Sequence, residues 1–300
     1  MTRRSAIAAA LFSAMCFGSL AVLMALAYDA GAEPLQLMVW RFTTATVLLA
    51  GYLAVTSRAD LRVGRADLGR FALLSVGGYG IASLCFAFAL WFIDASIAAI
   101  LLYTYPAMVV LTERFLTGEK LTPSRLAAVA MTFVGCALVI QPFGAQAAVD
   151  PRGVLLGLGA AVGYASFSIL SQRLLHRRSR SSVMVYMLGF TALLGAGAVL
   201  LTGASLAPTG WEPQVWLILG AMVVFPTFLA IIFYFSAIRS LGAPQAAIVS
   251  TFEPVFTLLL AALVLSEALD AVQLVGAALV LSGVLVAEWG ARRAQEPAAV

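Results

Sequence analysis

The sequence predicts an all-α polytopic membrane protein of ten transmembrane helices, arranged as two inverted five-helix repeats. Three observations predict it. The 300 residues are 62% hydrophobic and only 11% charged, with a mean hydropathy of +1.01, whereas soluble domains hold about 45–50% apolar and about 25% charged residues. Ten apolar runs each approach the ~20 residues that a bilayer core demands of a helix. A Pro, Glu and Gly pattern then recurs at one constant offset along the chain.

The first run, 5–28, follows Arg3-Arg4 and stops at the turn Asp29-Ala-Gly-Ala-Glu-Pro34. Its basic start and Ala25-Leu26-Ala27 also fit a secretory signal, but a signal's apolar stretch is about 7–15 residues and this one is longer. It therefore reads as a span. The second run, 34–57, gives way to the polar stretch 58–67, and the third covers 68–92. The fourth, 94–116, is divided from the third only by the charge of Asp94. The fifth, 124–141, ends at Gln141-Pro-Phe-Gly144. The sixth, 152–174, leads into a basic loop around His176, and the seventh covers 182–202. After Ala207-Pro-Thr-Gly210 come the eighth, 213–238, the ninth, 243–265, and the tenth, 270–291, the last two divided near Asp270. No connection is long enough for a soluble domain. Residues 1–300 form one transmembrane domain, with 5–141 and 152–291 as its halves.

Charge placement sets an orientation. With the N-terminus in the cytoplasm, every basic residue except Arg41 and Arg152 falls on the cytoplasmic side. Acidic residues such as Asp29, Glu33, Asp150, Glu212 and Glu267 fall mostly outside. The positive-inside rule then places both termini in the cytoplasm and requires an even span count. In a bacterium this is the inner membrane.

The same inventory excludes several functions. Lys120 is the only lysine and no basic cluster adjoins exposed aromatics, so nucleic acid is not a partner. Cys16, Cys85 and Cys136 are far apart, and His176 is the only histidine. Neither a zinc site nor a His-dependent triad fits. Gly157-x-Gly159 opens no dinucleotide fold, because no strand precedes it. There is no Walker motif. No cofactor and no catalytic or metal-binding residue is predicted, and the chain is not read as an enzyme.

Sliding the chain by 148 residues aligns Ala98-Ala99-Ile100 and Pro106 with Ala246-Ala247-Ile248 and Pro254. Glu119, Leu121 and Gly135 align with Glu267, Leu269 and Gly283. Five spans per repeat is odd, so the second copy is inverted in the membrane, a plan that recurs in secondary transporters. Ten spans carrying a Pro…Glu-x-Leu…Gly signature twice resemble the EamA family of the drug/metabolite transporter superfamily. Cys16-Phe17-Gly18-Ser19 and Trp40-Arg41-Phe42 also match its first repeat. Within that family the chain resembles the YddG-type bacterial exporters of aromatic and other neutral amino acids. The resemblance implies alternating access around a central cavity lined by spans one, three, four, six, eight and nine. The partners it implies are a small-molecule substrate (an amino acid or amphipathic metabolite) and membrane lipid. A homodimer stays open, and nucleotide-sugar or cationic-drug carriage is the rival cargo.

Polar residues inside the spans are the candidate site, since a charge at the bilayer centre costs about 2.5–3.5 kcal/mol on insertion scales. Glu253 lies about 15 Å into the ninth run, near the midplane. Its repeat mate is Tyr105. Each precedes a proline, Pro254 or Pro106, that frees the carbonyl four residues back and kinks the helix. Glu253 is the candidate proton- or amine-binding group. Pro226 is a third kink position. Arg41, about 9 Å inside the second run, either snorkels to the headgroups or meets a carboxylate. Tyr79, Phe86, Tyr103, Tyr105, Tyr164, Phe167, Phe225 and Phe228 are the aromatics that the resemblance implies around substrate, while Trp40 and Trp211 suit the interfacial belt. Gly153, Gly157, Gly159 and Gly163 suit close helix packing, and Gly77-Gly78 a hinge.

Overall fold

A computed structural model describes residues 2–105, 149–241, 252–267 and 271–295, with isolated positions between them. The described residues are helical, and no strand occurs among them. Six helices are long and apolar enough to cross a membrane: α1 (Arg3–Asp29), α2 (Pro34–Thr56), α3 (Arg65–Ala89), α5 (Pro151–Leu175), α6 (Arg180–Thr202) and α7 (Pro213–Leu241). They coincide with the first, second, third, sixth, seventh and eighth runs. Three further described helices, α4 (Ala95–Leu102), α8 (Glu253–Leu265) and α9 (Ala271–Gln295), fall on the fourth, ninth and tenth runs. The fifth run, 124–141, lies mostly outside the described residues.

The boundaries follow local chemistry. Pro34, Pro151 and Pro213 occupy the first turn of their helices, where a missing N–H costs nothing. The Asp150 carboxylate accepts from the Arg152 amide at 2.8 Å, and the Ser179 hydroxyl accepts from the Ser182 amide at 3.1 Å. Both are N-caps. Gly203 ends α6 in the left-handed conformation, φ 68°, which suits a residue without Cβ.

Helix α1 packs against α7 and α8, α3 against α5, and α2 against α6. The Ser13 hydroxyl of α1 donates to the Ala230 carbonyl at 2.7 Å, so the first run is an integral helix of the fold. The predicted small-residue contacts are present. A Cβ on Gly163 would sit 2.7 Å from the Ala82 amide nitrogen, and one on Gly78 would sit 3.0 Å from the Phe167 backbone. Only glycine lets α3 and α5 approach this closely.

One expectation is corrected. The fourth and ninth runs were expected to be continuous kinked helices, yet the described residues show each interrupted before its proline. Helix α4 stops at Leu102, where the Thr104 amide donates three residues back to Leu101 at 3.1 Å. Helix α8 begins at Glu253, after the Phe252 amide donates to Val249 at 3.3 Å. Proline brings no N–H to the helical ladder, and Pro254 sits in the first turn of α8, where none is needed. Pro106 lies outside the described residues. The long helices are also locally underwound at two places that the sequence marked as a hinge and a kink. Ser75–Tyr79 in α3 and Val224–Leu229 in α7 form π-helical turns, the first at Gly77-Gly78 and the second at Pro226. Such turns free backbone groups inside a helix and recur at functional positions.

Candidate functional site

Arg41 is buried, with 2% of its surface exposed, so the snorkelling alternative is overturned. A side chain aimed inward needs partners at that depth, and the π turn of α7 supplies them. Arg41 Nε donates to Thr227 Oγ1 at 2.8 Å, and Nη2 reaches the Pro226 carbonyl at 3.4 Å. The guanidinium also lies 4.8 Å from the Phe42 ring centroid, a cation–π contact. Thr227 is available because of the neighbouring proline. Pro226 cannot donate to Met222, and the Thr227 hydroxyl fills that role at 2.8 Å. No carboxylate pairs with Arg41 among the described residues.

Glu253 occupies the first position of α8, beside the helix break. Tyr103, from the equivalent break after α4, places its hydroxyl 2.8 Å from Glu253 Oε2. The same hydroxyl also donates to the Ser250 carbonyl, the group that Pro254 leaves without an amide partner. Gly18 on α1 lets this segment seat closely, because a Cβ there would lie 3.0 Å from the Glu253 carbonyl. Thr257 pins the contact by donating to the Gly18 carbonyl at 3.1 Å.

Between these charged groups the aromatic side chains touch in series. Phe42 meets Tyr79 with ring centroids 5.8 Å apart, Tyr79 meets Phe167 at 5.2 Å, and Phe167 meets Tyr164 at 5.3 Å. Tyr164 meets Tyr105 at 4.8 Å, and Tyr105 meets Tyr103 at 5.7 Å. Five predicted aromatics therefore join one path from Arg41 to Glu253. Tyr234, not singled out from the sequence, joins it through Phe167 at 6.4 Å, and Phe17 reaches Tyr234 at 6.2 Å. The sequence marks Phe17 only within the Cys16-Phe17-Gly18-Ser19 motif, and Tyr234 has no signal beyond its place in an apolar run.

Three predicted aromatics do not join. Phe225 is 49% exposed, because it lies in the π turn that aims its neighbour Thr227 inward. Phe228 is half-buried and Phe86 buried, and neither makes a ring contact with the path among the described residues. Trp40, Trp211 and Trp216 cluster together. Trp40 and Trp211 lie 6.2 Å apart, and the Trp211 indole donates to Gln36 Oε1 at 3.0 Å.

Glu267 was read as an outer-side repeat marker, and the structure gives it a contact that the sequence did not suggest. Its carboxylate accepts from the Ala95 amide at 3.0 Å, the Ser96 amide at 3.1 Å and the Ser96 hydroxyl at 2.7 Å. It thus caps the N-terminus of α4 from the far half of the chain.

The chain is 27% identical over 285 residues to an uncharacterized transporter of Archaeoglobus fulgidus, covering 93% of this chain and 95% of that protein. A riboflavin transporter of Brucella anthropi is 28% identical over 199 residues, covering 65% of this chain and 66% of the relative. The aromatic amino acid exporter YddG of Ancylobacter novellus is 26% identical over 199 residues, covering 65% and 68%. A solved crystal structure, 23% identical, superposes with a TM-score of 0.68 over 98% of this chain and 100% of its own, a likeness of fold. The EamA-like transporter family matches residues 4–141 and again 151–289. With its apolar spanning helices, the chain is a multi-pass membrane protein that belongs to the EamA-like transporter family.

Proposed function

We propose that this protein exports small organic solutes, chiefly aromatic or other neutral amino acids and related metabolites, by alternating access. Ten spans in two inverted halves, with both termini in the cytoplasm of a bacterial inner membrane, rock about the aromatic path. The observation that carries this reading is the unbroken series of rings between Arg41 and Glu253. Rings offer apolar faces, the tyrosine hydroxyls offer hydrogen bonds, and the two charges are opposite in sign. A solute with a carboxylate, an ammonium and an apolar body meets all three in turn. The amino-acid exporter among the relatives supports the same cargo class.

Glu253 takes a proton or the substrate ammonium at the midplane, so cargo and proton compete for one carboxylate. Counterflow of labelled phenylalanine in proteoliposomes tests the reading, with neutral amino acids, riboflavin, nucleotide sugars and a cationic drug as competitors. Competition by aromatic amino acids is expected. Glu253→Gln should insert normally and lose the pH dependence of exchange, and an unchanged pH profile would remove Glu253 from the mechanism. The flat ring system of riboflavin also suits stacked aromatics, and one relative carries that name. Competition by riboflavin without any by amino acids would favour that second cargo.

A further inference from the structure

At the arginine-rich ends of α3 and α5 lies a cleft of about 420 Å³ lined by Arg70, Leu73, Leu170, Arg173, Leu174 and Arg177. Residues 170, 173 and 174 share one face of α5, Arg177 lies in the turn just beyond its end, and 70 and 73 share a face of α3. The cleft is therefore built from two neighbouring helices and the turn that follows α5, with arginine at the rim and leucine deeper. Its charges are not balanced. Asp67 is the acidic partner there, and it is shared between Arg70 at 2.9 Å and Arg178. Arg173 and Arg177 form no ion pair among the described residues. Leu73 is 56% exposed, so the cleft opens sideways along an apolar wall.

From this arrangement we infer that the cleft holds the phosphate headgroup of an anionic phospholipid in the adjoining leaflet. Guanidiniums bind phosphate oxygens in a bidentate fork. The deeper leucines face the glycerol and upper acyl chain, which a free anion would leave uncovered. Charge asymmetry places this end of the helices in the cytoplasmic leaflet, where anionic headgroups attract basic clefts between spans.

Native mass spectrometry of delipidated protein tests the inference, with phosphatidylglycerol and phosphatidylcholine added in equal amounts. Each engaged arginine contributes about fivefold, so Arg173 and Arg177 together give an expected preference of about 25-fold for phosphatidylglycerol. Combined Arg173→Gln and Arg177→Gln should bring the ratio near parity, while Arg239→Gln, at the end of α7, leaves it unchanged. If the double variant does not fold, Arg173→Gln alone should lower the ratio about fivefold. Equal binding of the two lipids by the unsubstituted protein would overturn the inference, as would a full preference retained by the variants. Inorganic phosphate, added in place of lipid, tests the other source. Phosphate adducts lost on the same substitutions would assign the cleft to a free anion and overturn the lipid assignment.

Discussion

Replacing Thr227 by valine keeps its shape and removes one oxygen that serves two partners. That oxygen accepts from Arg41 Nε and donates to the Met222 carbonyl, each at 2.8 Å, and Thr227 is 0% exposed. Interhelical hydrogen bonds in membranes average about 0.6 kcal/mol and reach about 1.7, and a guanidinium donor sets the Arg41 bond at the upper end. An orphaned buried carbonyl costs about 1–3 kcal/mol more. Thr227→Val should therefore destabilise by about 3–4 kcal/mol, read by SDS titration in mixed micelles, and Thr227→Ser should restore most of it. The second half of this cost exists only because residue 226 is a proline. In a Pro226→Ala background the chain regains an amide donor for Met222, and Thr227→Val should then cost only about 1.5–2 kcal/mol. The cycle should thus show a coupling of about 1–2 kcal/mol. Equal costs in the two backgrounds would refute the claim that the threonine hydroxyl substitutes for the amide proline lacks.

Gly163→Ala should destabilise by about 1–3 kcal/mol through overpacking, because its Cβ meets the Ala82 amide nitrogen at 2.7 Å. Gly220→Ala, with nothing within 4 Å, should instead stabilise by about 0.5–1 kcal/mol from helix propensity, and thermal melts in detergent separate the two signs. Glu267→Gln should cost about 1–2 kcal/mol by weakening a charged cap on α4, with a smaller loss in a Ser96→Ala background; additive losses would remove that contact. A reporter fused after Gln146 should read outside and one at the C-terminus cytoplasmic, and an external C-terminus would refute the even span count.

Hydropathy made the six long described helices legible, because a bilayer imposes both length and apolarity on a span. The close approach of α3 to α5 was legible as well, since glycines four residues apart have few other uses in such a helix. What escaped the sequence was direction within a turn. Phe225 and Thr227 are two residues apart in one apolar run, and only the π turn at Pro226 decides that the threonine faces Arg41 while the phenylalanine stays 49% exposed. Glu267 escaped for another reason. Its partners, Ala95 and Ser96, are more than 170 residues away (separations of 172 and 171), and no local pattern records so distant a cap. Glu253 and Tyr103 were both named from sequence, yet nothing in their spacing said that one hydroxyl would join them.

That hydroxyl completes a device the protein uses twice. Pro226 leaves the Met222 carbonyl without an amide, a hydroxyl takes it, and the same oxygen meets Arg41. Pro254 does the same to the Ser250 carbonyl, and the Tyr103 hydroxyl takes it while meeting Glu253. The sign of the second charge changes the outcome. Arg41 can donate to an oxygen whose proton is already committed, but an ionised carboxylate cannot. Tyr103 has one proton for two acceptors, so both contacts are satisfied together only when Glu253 carries a proton of its own and donates to the phenol oxygen. On the proposed reading, loss of that proton would set Glu253 and Ser250 in competition for Tyr103 and should loosen the junction between α4 and α8. Tyr103→Phe removes the shared oxygen and should slow exchange by about 5–30-fold, the equivalent of about 1–2 kcal/mol. Adding Glu253→Gln to it should then slow exchange little further, since the second group would have lost its partner. Multiplicative losses in proteoliposomes would mean that the two act separately, and the proposed link between protonation and helix junction would fall.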